Sequence, residues 1–143
     1  MPTVATELVA LCLYGPLIVL LHELGHALLA PLGGYRVTSF GVGVGRPIWR
    51  TTLGSGVVLH VDRWVLAGGA CTAIPVRPAG SSRALFHGGG LLAQAALALI
   101  LIALPPTWLG DRVLQFDLLV AATNAIPWRL GGSASDGWFL LDL

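Results

Sequence analysis

The sequence predicts a mainly α-helical, polytopic membrane protein, with about three transmembrane helices and a membrane-associated β-hairpin between the first and the second. Three observations predict it. Of the 143 residues 55% are hydrophobic and only 10% are charged, and the mean hydropathy of +0.81 is far from that of a soluble domain. A first apolar run, residues 8–29, is long enough at about 1.5 Å per residue to cross a hydrocarbon core of ~30 Å. Between the apolar runs lies a stretch with β-branched and aromatic residues punctuated by glycine, which reads as strand and turn rather than helix. The length allows one domain, residues 1–143.

Taken in order, the first span carries Pro16, which should kink or loosen it. Residues 1–7 lack the basic flank of a signal peptide, so the run is expected to be retained. Pro31, Gly33 and Gly34 end it and open an irregular region over about residues 33–83. Within that region residues 37–49 and 57–66, separated by Leu53-Gly54-Ser55-Gly56, are expected to pair as the hairpin. Phe40, Val42, Val44, Ile48 and Trp49 should pack it on the membrane segments or dip it into the bilayer surface, because open strands cannot face lipid unpaired. Leu66-Ala67-Gly68-Gly69-Ala70 offers a further edge. A second span, residues 84–104, is stopped by Pro105 and Pro106, and its Gly88-Gly89-Gly90 run would let another backbone approach closely. A third, residues 113–128, is interrupted by Asp117, Asn124 and Pro127, so it spans only if those polar groups face protein or a water-filled cavity. After a loop over residues 129–135 comes Asp136-Gly137 and a last apolar stub.

Charge sets the orientation and removes some functions. The net charge of +1, with no basic patch interleaved with aromatics, excludes nucleic acid as a partner class. Arg36, Arg46, Arg50, Arg63, Arg77 and Arg83 lie between the first two spans, which by the positive-inside rule puts that region in the cytoplasm. All eight basic residues are arginine, the mark of a GC-rich genome, and a bacterial or archaeal cell membrane is expected. Trp49, Trp64, Trp108, Trp128 and Trp138 read as interface anchors. Cys12 and Cys71 read as small buried thiols, not as a disulfide framework.

The chemistry is concentrated in His22-Glu23-Leu24-Gly25-His26. On a helix His22 and His26 share a face, close enough for both imidazoles to reach one ion. Glu23 can take a proton from water beside them without itself ligating. Three ionisable side chains in one turn at lipid depth cost at least ~2.5 kcal/mol for the carboxylate alone, so they mark function. A catalytic zinc uses three protein ligands and keeps a fourth position open. The candidates for the third are His60, His87, Asp117, Asp142 and Asp136. Asp136 is favoured, since it alone follows a flexible run, precedes a glycine and falls at the depth of His22 and His26. Ser135-Asp136 would also serve as a helix N-cap.

Taken together the chain resembles the site-2 protease family of intramembrane zinc metalloproteases, in a minimal three-span form. His22-Glu23-Leu24-Gly25-His26 matches the family's H-E-x-x-H; Phe40-Gly41-Val42-Gly43-Val44-Gly45-Arg46-Pro47 is similar to its F-x-x-G-x-G-P stretch; Leu66-Ala67-Gly68-Gly69 resembles its L-G-G edge. Gly89-Gly90-Leu91-Leu92-Ala93-Gln94 sits where the family has G-P-x-x-N, with Gly90 and Gln94 as departures. Asn124-Ala125-Ile126-Pro127 followed by Asp136-Gly137 resembles its N-x-x-P…D-G element, and the resemblance makes Asp136 the third ligand.

The resemblance implies a zinc ion held by His22, His26 and Asp136, with Glu23 as general base. Asn124 is expected to hydrogen-bond the substrate backbone or oxyanion, or equally a neighbouring helix carbonyl. The expected substrate is a transmembrane protein or a leftover signal or leader peptide, in the bilayer and cut toward its cytoplasmic side; a substrate helix must unwind, and the hairpin offers a strand edge to receive it. No PDZ-like insertion is expected, and an absent fourth helix would suit a homo-oligomer or a helper subunit. Two other classes remain open on sequence alone: a catalytically inactive membrane scaffold or chaperone, and a metal transport or sensing protein.

Overall fold

The computed structural model describes residues 3–76, 83–131 and 133–143. Arg77, counted in the charge distribution above, and residue 132 of the loop before Asp136 lie outside the described residues. The first helix, α1 (Val4–Leu29), begins where the Thr3 hydroxyl accepts from the Thr6 amide, satisfying one of the amides that a helix start leaves unpaired. It runs without a break through Pro16. Of the three expected spans, α1 alone is by itself both long and apolar enough to cross a membrane.

The region after α1 differs from the expected hairpin. Among the described residues it is a four-stranded sheet, with β1 (Tyr35–Val42), β2 (Pro47–Thr52), β3 (Val58–Asp62) and β4 (Gly69–Pro75) in the order β2-β3-β1-β4. Residues 37–49 are two strands, not one, because Gly43 (φ 94°) and Gly45 (φ 101°) take left-handed backbone that ends β1. The turn at residues 53–56 does join an antiparallel pair, β2 and β3. β3 then lies parallel to β1, pairing Gly41 with His60, and β4 runs antiparallel along β1's other side. Gly41 is required at that point, since a Cβ there would overlap the His60 main chain and come 2.9 Å from its ring. The edge expected near Gly68 is β4.

The second span is also two elements, α2 (Arg83–His87) and α3 (Gly89–Ala103), separated at Gly88. The close backbone approach anticipated for the glycine run is present. A Cβ on Gly25 would overlap the Gly89 carbonyl oxygen, and one on Gly89 would come 2.6 Å from the Gly25 oxygen. With no side chain on either glycine, α1 and α3 touch main chain to main chain. α4 (Trp108–Ala125) starts earlier than residue 113, because the Thr107 hydroxyl caps it by accepting from the Gly110 amide. Arg112, in its first turns, pairs with Glu7 of α1 at 3.2 Å. The helix ends before Pro127, whose ring pushes Ile126 to extended backbone (ψ 124°). A two-residue ladder, β5 (Arg129–Leu130) with β6 (Ser133–Ala134), then leads into α5 (Asp136–Leu141).

The core sits where α1, α3 and α4 meet, and it is unusual in being polar. The side chains of Gln94, Asp117 and Ser135 are the largest of those wholly removed from solvent, whereas most large aliphatic residues of the helices face outward. That inversion suits a molecule whose surroundings are hydrocarbon. All five tryptophans are exposed at the surface.

If the Gly25–Gly89 contact holds the helices together, Gly89→Val should cost about 1–3 kcal/mol of stability through overpacking. Leu99→Val, at a 68% exposed position on the same helix, should be close to neutral. Thermal unfolding of both variants in one detergent checks the difference.

Candidate metal centre

His22 and His26 occupy successive turns of one face of α1 and are 4% and 6% exposed. Their rings meet edge to face, with centroids 4.8 Å apart, and the two Nε2 atoms lie 3.1 Å apart. Asp136 Oδ2 stands 3.0 Å from the His22 Nε2 and 3.3 Å from the His26 Nε2. The sequence reading brought these three residues to one site, and the structure assembles them as a group able to hold a metal ion.

Hydrogen bonding on the far side of each ring decides what those atoms offer. His26 Nδ1 lies 2.6 Å from the Phe86 carbonyl oxygen, which can only accept, so Nδ1 donates and, in the neutral ring, Nε2 keeps its lone pair. His22 Nδ1 lies 2.8 Å from Gln94 Oε1 and donates likewise. Neither ring then has a hydrogen to give Asp136, whose Oδ2 is a buried oxygen without a hydrogen-bond partner among the described residues. Three electron pairs thus face one another with no proton between them. Ligand atoms held ~2.0–2.1 Å from a tetrahedral zinc stand about 3.3–3.4 Å apart, and the three observed separations fall at or just below that. Two imidazoles and one carboxylate are also the donor set such an ion takes, and the residues fit it.

Each residue of the group is positioned for a local reason. The His22 ring lies flat on α3 where Gly90 has no side chain; a Cβ there would come within 2.6 Å of Nδ1. The Phe86 carbonyl lies just before the break at Gly88, where the chain passes from α2 to α3. Phe86 also stacks on Tyr35 (4.7 Å) and packs beside His26 (5.6 Å). Asp136 arrives on α5 by a different device. The buried Ser135 hydroxyl donates to the Ile126 carbonyl and accepts from the amides of Trp128 and Trp138, tying the loop to the end of α4. Ser135 is therefore the N-cap, and Asp136, the next residue, has its carboxylate free for the site. Gly137 must be glycine, because a Cβ there would overlap the Ala125 carbonyl. His87 stacks on Phe139 (4.6 Å, 15°), joining α2 to α5.

Glu23, beside His22 and 7% exposed, has no hydrogen-bond partner among the described residues. Its Cγ lies where a Cβ on Gly69 would come within 2.8 Å, so β4 runs past it. Cys71, further along β4, has its thiol pushed up to about 12, by burial first and then by the Glu23 carboxylate.

The remaining candidates fall elsewhere. His60 sits on β3 with its Nδ1 3.6 Å from Asp62, His87 is held in its stack, and Asp142 caps the end of α5. Asp117 is wholly buried on α4, with neither carboxylate oxygen hydrogen-bonded among the described residues. The Asn124 amide donates to the Val120 carbonyl of its own helix at 2.9 Å, not to a neighbouring helix as one of the two expectations had it. Sequence reasoning passed over Gln94 as a partner of His22. A lone amide in an otherwise apolar span, one turn beyond the glycine that receives the ring, was the available signal.

A family model described as Peptidase family M50 matches residues 9–127 of the chain. No curated protein matches it.

Purified wild-type chain should carry close to one zinc per molecule, with His26→Ala and Asp136→Ala each losing it; full retention in Asp136→Ala would remove that residue from the ligand set. Cys71 should react slowly with a maleimide at pH 8, since its thiolate is scarce well below pH 12, and rapidly once the chain is denatured.

Proposed function

The chain belongs to peptidase family M50, the site-2 type of metalloprotease, and we propose that it is an intramembrane zinc endopeptidase cutting within or near transmembrane segments. Members of this family are zinc metalloproteases of membranes. The observation that carries the reading for this chain is the meeting of His22, His26 and Asp136 lone pairs beside an unengaged Glu23 carboxylate. Zinc, when bound, supplies a Lewis acid that polarises a carbonyl and acidifies water. Glu23 takes the proton of the attacking water and passes it to the leaving amine. His22, His26 and Asp136 would hold the ion, kept in orientation by Gln94, Phe86 and the Ser135 loop.

In this reading α2 with α3 and α4 complete a three-span core with α1. Gln94 and Asp117, the polar groups that would forbid a lipid-facing helix, are turned inward and fully buried. The Glu7–Arg112 pair aligns the starts of α1 and α4. The metal site then lies at the opposite end of both, which the arginine distribution assigns to the cytoplasmic side. A substrate helix has its own amides satisfied and must unwind to be cut. β4 is the edge of the sheet nearest Glu23, paired with β1 on one side only among the described residues, and an extended substrate segment added there would pass the general base. Asn124 would serve such a segment only after giving up its bond to Val120.

Glu23→Gln should keep its zinc while cleavage of a single-span substrate reconstituted in liposomes falls by at least about 10²-fold, the usual contribution of a general base. Undiminished cleavage would take the proton-transfer role from Glu23. Absence of cleavage by the wild type across a panel of single-span proteins would favour a scaffold.

A further inference from the structure

We propose that Gln94 is a positioning residue of the metal centre: locked by the main chain of α4, its amide holds His22 as the Nδ1–H tautomer and so commits Nε2 to the ion. The inference rests on the metal-centre reading above and adds to it the group that decides whether the site is competent. Gln94 is wholly buried on α3, between α1 and α4. No water reaches an amide in that position, so its donor and acceptor must be paired within the protein. Oε1 lies 2.8 Å from His22 Nδ1, and Nε2 lies 3.3 Å from the Asp117 carbonyl oxygen.

The second bond gives the first its meaning. An amide can be turned end for end, and the turned form would donate to His22 Nδ1. His22 would then carry its hydrogen on Nε2, only 3.0 Å from Asp136 Oδ2. It would donate to that carboxylate, and the site would be closed by a hydrogen bond between two of its own ligands. In the turned form, however, Gln94 Oε1 would face the Asp117 oxygen, acceptor against acceptor. The α4 carbonyl therefore selects the orientation that leaves the His22 lone pair pointing at the ion. Gly90 completes the arrangement, since its missing side chain lets the ring reach the amide one turn further along α3.

The test uses the full chain in detergent micelles, with zinc alone as ligand, titrated against a chromophoric chelator. Gln94→Leu keeps the bulk and removes both hydrogen bonds, and its zinc affinity should fall about 10–100-fold. Gln94→Glu, buried and held as the neutral acid, can donate to the Asp117 carbonyl and still accept from Nδ1–H, and should bind at least about tenfold more tightly than Gln94→Leu. Leucine binding as well as wild type, or glutamate no better than leucine, would overturn the proposal. A second measurement needs no variant: histidine ¹⁵N shifts of metal-free wild type should show His22 protonated at Nδ1 and bare at Nε2, and the opposite tautomer would overturn it. Zinc affinity that is the same in wild type and both residue-94 variants defeats this inference alone, whereas wild type that binds none defeats the metal centre with it.

Discussion

Three lone pairs pointed at one another inside a protein repel unless something positive lies between them. His22, His26 and Asp136 are placed that way, 3.0 to 3.3 Å apart, with the hydrogens that would relieve the conflict drawn off to the far sides of both rings. Much of the fold can be read as apparatus for maintaining that conflict. α1 brings two of the pairs, α2 and α3 supply the acceptors behind the rings, and α4 with its closing loop brings the carboxylate. A packed aliphatic core would not require such placement, and here the centre of the molecule is given over to polar groups.

The helices can do this because glycine removes side chains where atoms must meet. Gly25 against Gly89 sets the distance between α1 and α3 at main-chain contact, and Gly90 gives the His22 ring a flat surface on the same seam. Gly137 lets the start of α5 sit on the end of α4. These contacts are worth little as hydrophobic burial. They act by fixing separations to within a fraction of an ångström, which is the tolerance a first coordination sphere demands.

How much of this was legible in the chain follows from the range of each interaction. The His22, Glu23 and His26 set is local to one helical turn, so its shared face followed from spacing alone. Asp136 was reachable because few ionisable residues compete with it and its flanks are distinctive. The close glycine approach could be named, though not its partner. The sheet was less legible, because the parallel pairing of β1 with β3 joins residues distant in sequence, and only the contact of Gly41 with His60 reveals why that register fits. The break at Gly88 was hidden in a continuous apolar run. The start of α4 at Trp108 was hidden for the opposite reason, as Asp111 and Arg112 look like loop until Glu7 is seen across from Arg112. Asn124 shows that a motif supplies a residue without fixing what it bonds, since its amide is returned to its own helix.

The interruption between α2 and α3 makes the two imidazoles unequal in what supports them. His26 leans on a main-chain oxygen, which exists whatever residue occupies position 86, so that support can be altered only by rerouting the backbone. His22 leans on a side chain, and a single codon can change it. Substitution therefore has one adjustable screw on the site and one welded joint, and any change in the geometry of the cluster is most easily made from the α3 side.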